Sequence, residues 1–198
     1  MERETDTQAA VDKNQIEHAL AFALKHHSGQ VRKGSGEPFI THPIEVMSIM
    51  NGMGLSLSDP NLVVAGILHD TVEDTDATIE MIREQFGEDV AGLVQSHTED
   101  KSCSWQERKQ RTIRELKAAN LREKILVLSD MLANMRSMNR EQNKIGDRLW
   151  KRFNAPKAQQ AWYYGSVKDV LSDLQYNEDT APAYREMVKL YEEIFKRE

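Results

Sequence analysis

Seven consecutive residues, Leu62-Val63-Val64-Ala65-Gly66-Ile67-Leu68, make the most apolar run of the chain and lead without a break into His69-Asp70. A membrane helix needs about 20 such residues, so this run belongs in a protein core. A core that accepts it must also deal with the two polar groups at its end. An ionised carboxylate there costs several kcal/mol unless it is paired or metal-bound. Elsewhere apolar residues recur at spacings of three and four: Ile16, Ala19, Leu20, Ala23 and Leu24, then Ile113 and Leu116, then Ile125, Leu128, Leu132 and Met135. That is the helical period, and alternating β patterns are nearly absent. The expected fold is all-α, a bundle of about eight to ten helices. Helices are expected near 13–28, 43–51, 60–72, 78–86, 88–97, 105–119, 121–140, 156–174 and 181–196, with a glycine-rich loop from Ser28 to Thr41.

The chain has 198 residues, 39% of them hydrophobic, enough for one core without disulfides. No linker or low-complexity tract divides it, so a single domain over 1–198 is expected, with a flexible tail over 1–12. Its 26 basic and 32 acidic residues give a net charge of −6. This argues against non-specific nucleic-acid binding, which requires a basic face. Cys103 is the one cysteine, which excludes an intramolecular disulfide and a cysteine-based zinc site and points to a reducing compartment. The polar segment Met1–Asp12 has neither part of a secretory signal, so a cytoplasmic location with no membrane partner is expected. Oligomeric state is not readable from charge or pattern, and the apolar face Met187, Leu190, Tyr191 and Ile194 is expected to pack on the core, with another subunit as the alternative.

Local signals mark several helix ends. Ser58 and Asp59 precede Pro60, Thr78 precedes a short acidic helix ahead of Met81, and Ser104 stands three residues before Glu107 in capping-box spacing. In Phe39-Ile40-Thr41-His42-Pro43, either Thr41 or His42 is expected to cap a helix whose first turn contains Pro43.

Four places carry candidate chemistry. Glu73 and Asp74 follow His69 and Asp70 at i+4, so a continuous helix would stack three carboxylates and an imidazole on one turn. Either the acids fray into solvent or a cation lies among them. Asp130 follows the apolar residues Ile125 to Leu128, with Asn134 and Ser137 on its face. These three line a pocket or form the boundary of an amphipathic helix. His42 is a capping or packing residue, or a ligand. Arg32 and Lys33, beside Gly34 and Gly36, hold a phosphate or make a solvated basic turn.

Together these pieces resemble the HD superfamily of metal-dependent phosphohydrolases, with His42, His69-Asp70 and Asp130 as the matching residues. The strings Arg32-Lys33-Gly34, Phe39-Ile40-Thr41-His42-Pro43, His69-Asp70-Thr71-Val72-Glu73-Asp74-Thr75 and Ser129-Asp130-Met131-Leu132-Ala133-Asn134-Met135-Arg136-Ser137 resemble the hydrolase domain of the RelA/SpoT family. The small stand-alone alarmone hydrolases are the nearest in kind. The resemblance implies an all-helical fold and one Mn²⁺ held by His42, His69, Asp70 and Asp130, a ligand set that other divalent metals also accept. It implies that Glu73 and Asp74 orient or activate the attacking water. Arg32, Lys33, Asn134, Ser137 and Tyr163 would contact the nucleotide. The implied reaction converts ppGpp or pppGpp to GDP or GTP plus pyrophosphate.

Val127 stands where this family commonly has Lys, and Ser137 where Thr is frequent. The segment Lys144–Asn154 lies outside the shared pattern, between the Asp130 helix and Tyr163, where it is placed to reshape the pocket. These departures keep open a phosphohydrolase acting on another nucleotide, such as the 2′-phosphate of NADPH or a nucleoside monophosphate. A non-catalytic module that senses a nucleotide is the alternative of a different class.

Overall fold

A computed structural model describes residues 2–33 and 35–196, with the side chains of 2–13 outside the description. The tail expected over 1–12 falls on those residues. The fold is all-α, and among the described residues the one strand-like pairing is the bridge between Val31 and Pro38. No described helix is long and apolar enough to cross a membrane. The chain divides into two compact units, residues 1–30 with 39–98, and residues 31–38 with 99–198.

The first unit is built around α4, Pro60–Leu68, in which every residue from Leu62 to Leu68 is buried. A helix apolar on all faces has no solvent side and must be surrounded. Here α1 (Glu2–His26), α2 (Thr41–Gly52), α3 (Leu55–Ser58) and α7 (Glu88–His97) pack on it, and α6 (Ile79–Phe86) packs on α7. Asp59 caps α4 by accepting from the Leu62 amide at 3.1 Å, as its place before Pro60 predicts. Gly66 permits the close approach of α2: a Cβ there would lie 2.7 Å from Met50 Sδ and 3.3 Å from Val46 Cγ1. Gly87, at φ 88°, both ends α6 and begins α7.

Two expectations change in this unit. Ile40, not Thr41 or His42, occupies the cap position of α2 and makes no side-chain cap bond. The turn before the helix supplies the acceptors instead, with the Phe39 carbonyl taking the His42 amide at 2.9 Å and the Ile40 carbonyl taking the Ile44 amide at 3.2 Å. The His42 ring is therefore not engaged as a cap. The helix expected over 60–72 also stops at Leu68, and a one-turn α5 follows over Thr71–Asp74. Two side chains take over carbonyls at the end of α4. His69 Nδ1 meets the Gly66 oxygen at 2.8 Å, and the Thr71 hydroxyl donates to the Leu68 oxygen at 2.6 Å.

The second unit is organised by α9, Leu121–Ile145, whose residues 125–129 are all buried. Asn120 and Glu123 form a capping box at its start. Against α9 lies α11, Ala181–Phe195, through the face that includes Met187, Leu190 and Ile194, as the sequence pattern predicts. The pair α8 (Trp105–Leu116) and α10 (Lys157–Val170) pack together, and α8 carries the expected Ser104–Glu107 box. The segment after α9 winds into a 3-10 turn over Gly146–Arg152. It is tied down by packing: Leu149 is buried, and the Trp150 ring lies 5.4 Å from that of Phe195.

Candidate metal centre and its surroundings

In the first unit α2 delivers His42 and the end of α4 delivers His69, both almost fully buried at 3% and 1% exposure. Their Nε2 atoms lie 3.3 Å apart. Asp70 Oδ2 stands 3.1 Å from His69 Nε2 and 3.5 Å from His42 Nε2. The Gly66 carbonyl is an acceptor only, so His69 holds a proton on Nδ1, and the neutral ring then presents a lone pair at Nε2. A proton on His42 serves one of these short contacts and leaves lone pairs opposed in the rest. A cation serves all of them.

The spacing fits that reading, since donors each ~2.1 Å from one ion lie roughly 3.0–3.4 Å apart at octahedral or tetrahedral angles. The carbonyl behind His69 is the outer partner that metal-binding imidazoles usually have. His97, at the end of α7, sets its ring 5.2 Å from that of His69 at 77°, and Phe39 sets its ring 6.0 Å from that of His42. Of the acids on α5, Glu73 is half-buried and Asp74 exposed. The backbone of Asp74 is held at both ends, its amide by the Asp70 oxygen at 2.9 Å and its carbonyl by Gln30 Nε2 at 2.8 Å.

In the second unit Asp130 is half-buried on α9, with Asn134 one turn later. Asn134 Nδ2 donates to Asp130 Oδ1 at 2.6 Å, and Arg32 Nη2 donates to Asn134 Oδ1 at 2.8 Å. The backbone of Arg32 is itself fixed, its amide bonded to the Glu37 oxygen at 2.8 Å and its carbonyl to the Gly36 amide at 2.9 Å. Lys33 is exposed, and Ser137 is half-buried one helical turn beyond Asn134.

Tyr163 is buried, with Lys109 Nζ 4.7 Å from its ring centre and the Trp105 ring 6.2 Å away. Its neighbour Tyr164 sits in the field of Asp130 and Arg32. Burial pushes the Tyr164 phenol well above its ordinary range, the Asp130 charge pushes the same way, and Arg32 opposes them. Sequence reasoning missed both Tyr164 and His97. Adjacent tyrosines on one helix point in different directions, and no spacing rule ties the end of α7 to His69.

The two buried imidazoles and the Asp70 carboxylate of the first unit are thus donors suited to a divalent metal, and the second unit offers the half-buried Asp130 carboxylate. A family model described as an HD domain matches residues 19–153, a span that includes all of them. The chain belongs to the HD-domain family. Among curated relatives, a GTP pyrophosphokinase of Streptomyces coelicolor is 37% identical over 186 residues, covering 90% of this chain and 21% of that protein. A Drosophila melanogaster protein named guanosine-3′,5′-bis(diphosphate) 3′-pyrophosphohydrolase MESH1 is 39% identical over 120 residues, 60% of this chain and 66% of its own length. The chain therefore spans about a fifth of the first and just under two thirds of the second. A solved structure described as a metazoan orthologue of SpoT that hydrolyses ppGpp superposes with a TM-score of 0.73 at 29% identity, covering 89% of this chain and 93% of that one. The expected resemblance to HD-type alarmone hydrolases thus holds.

Proposed function

We propose that this HD-domain protein is a metal-dependent 3′-pyrophosphohydrolase that converts ppGpp or pppGpp to GDP or GTP plus pyrophosphate. The observation that carries the reading is the His42, His69 and Asp70 cluster, whose short contacts are those of donors around one cation. Support for the substrate comes from relatives that carry the activity in their names. We assign the ion, Mn²⁺ among the divalent metals the set accepts, to His42, His69, Asp70 and Asp130. The inclusion of Asp130 rests on its place in the sequence motif. When bound, such an ion lowers the pKa of water and polarises a phosphoryl oxygen.

The chain's own residues supply the rest. Water adds to the phosphorus joined to the ribose 3′ oxygen, that P–O bond breaks, and pyrophosphate leaves while the ribose oxygen takes up a proton. Glu73 on α5 accepts the proton of the attacking water, with Asp74 beside it. Arg32 neutralises diphosphate charge as a fixed guanidinium fork, and Lys33 adds a mobile positive charge. Asn134, Ser137 and Tyr163 complete the nucleotide contacts in this reading.

One observation favours a second reading. Val127, where this family commonly has Lys, is 8% exposed, so that position offers no cation to a tetraphosphorylated ligand. A nucleotide with fewer phosphates, NADPH or a nucleoside monophosphate, would need it less. Product analysis separates the two: the purified protein with Mn²⁺ is incubated with ppGpp, pppGpp, NADPH and nucleoside monophosphates beside an Asp130→Ala control. Pyrophosphate with GDP from ppGpp, absent in the control, is the expected result. Orthophosphate from another nucleotide overturns the alarmone assignment, and tight binding without turnover points to a sensing module.

A further inference from the structure

The bond pattern at Asn134 points to a role that substrate contact alone does not describe. Its amide has an acceptor side and a donor side, and its two partners leave it one orientation. Arg32 has only donors and the Asp130 carboxylate only acceptors, so Oδ1 must face Arg32 and Nδ2 must face Asp130. A flipped amide would set N–H against guanidinium and oxygen against carboxylate. We infer that Asn134 is a positioning residue through which Arg32 holds the Asp130 carboxylate in its metal-binding rotation. Anion binding at Arg32 and metal binding at Asp130 are thereby coupled.

Two features make the link stiff. Arg32 leaves a backbone bonded on both sides in the turn that Val31 and Pro38 close. Asn134 and Asp130 stand one turn apart on the long helix α9, so the amide–carboxylate bond stays within one rigid element. The guanidinium is a rigid planar fork, so a group bound to it elsewhere on the fork shares its orientation with the Asn134 bond. An anion that draws on Arg32 strains or steadies the same amide that aims Asp130. Such coupling is reciprocal in free energy.

This inference rests on the proposed metal site, and the sign of one measurement tests it apart from the substrate. Mn²⁺ affinity is read, without nucleotide, from the electron paramagnetic resonance of the free ion. The proteins are the wild type, Asn134→Ala, Arg32→Met and the double variant, each checked for helical content and melting temperature. Removing a nearby positive charge should by electrostatics alone tighten Mn²⁺ binding. If Asn134 transmits the hold, Arg32→Met weakens it several-fold instead. Asn134→Ala weakens it about tenfold or more, the usual scale for lost outer support of a ligand. In the double variant Arg32→Met then brings no further loss. Unchanged or tighter binding in Arg32→Met, or additive losses in the double variant, overturns the inference. Should Asn134→Ala melt early, Asn134→Ser takes its place under the same criteria. Variants that show these shifts while the wild type leaves ppGpp intact refute the substrate reading and keep the link.

Discussion

His69 Nδ1 lies 2.8 Å from the carbonyl oxygen of Gly66, three residues back along α4. This contact does two jobs at once. It satisfies a carbonyl that the end of the helix leaves without an amide partner, and it places the proton of His69 so that Nε2 faces His42 and Asp70. The apolar run and the first polar residue after it are therefore coupled: where α4 stops is what makes His69 a donor. A helix continued through Asp70 would bring its own amides to those carbonyls.

Gly66 is under a second constraint, because a Cβ there meets Met50 Sδ at 2.7 Å in a fully buried place. In Gly66→Ala the Met50 side chain must move or α2 must back away from α4, at a cost of about 1–3 kcal/mol. Helix α2 carries His42, so the substitution should also weaken Mn²⁺ binding. The check is a urea midpoint together with a metal titration. A destabilised protein with wild-type metal affinity would show that the two helices adjust without moving His42.

Glu73 is assigned the proton, not the metal, and the two roles separate by measurement. Glu73→Gln should keep Mn²⁺ affinity within about twofold while turnover of ppGpp falls by roughly 10²–10⁴. His69→Ala should lose both. Mn²⁺ loss in Glu73→Gln would move Glu73 into the ligand set.

The cap of α9 serves stability alone. Asn120 Oδ1 accepts from the Glu123 amide at 3.1 Å and the Glu123 carboxylate returns to the Asn120 amide at 2.8 Å. Asn120→Ala should cost about 1 kcal/mol. It lies more than two turns from Asp130, so Mn²⁺ affinity should stay at the wild-type value, as a melting curve and a metal titration on one preparation would report.

Much of this architecture was legible from pattern. The period of three and four placed the long helices, and Asp59, Thr78 and Ser104 marked starts that the structure shows as side-chain caps. What escaped was set by contacts distant in sequence or by competition among local bonds. The break after Leu68 depends on His69 and Thr71 outcompeting backbone amides, which periodicity does not encode. The Asn120 box was legible in spacing and went unread, whereas Tyr164 and His97 carry no signal in sequence at all. The candidate residues within each unit are assigned from the joint motif. The tie from Arg32 through Asn134 spans 102 residues of chain and needs three dimensions to be seen.

Acid should loosen the end of α9 in a predictable direction. Glu141 accepts from Lys144 Nζ at 2.9 Å and pairs with Arg152 at 3.3 Å, binding the helix to the 3-10 turn that follows. The Lys144 bond, aided by the charges of Lys144 and Arg152 and opposed by burial, holds the Glu141 carboxyl below its ordinary value of 4.5. Near that pH the unfolded chain binds the proton more readily than the folded one, so stability rises with pH. The contribution is complete above about 4.5 and fades as pH falls through the lower folded value. Its size is modest, under about 1 kcal/mol, because Lys144 is 65% exposed. Urea midpoints of wild type and Glu141→Gln should differ at pH near 6 and converge towards pH near 3. Midpoints that stay parallel over that range would show that the pair adds nothing to folding.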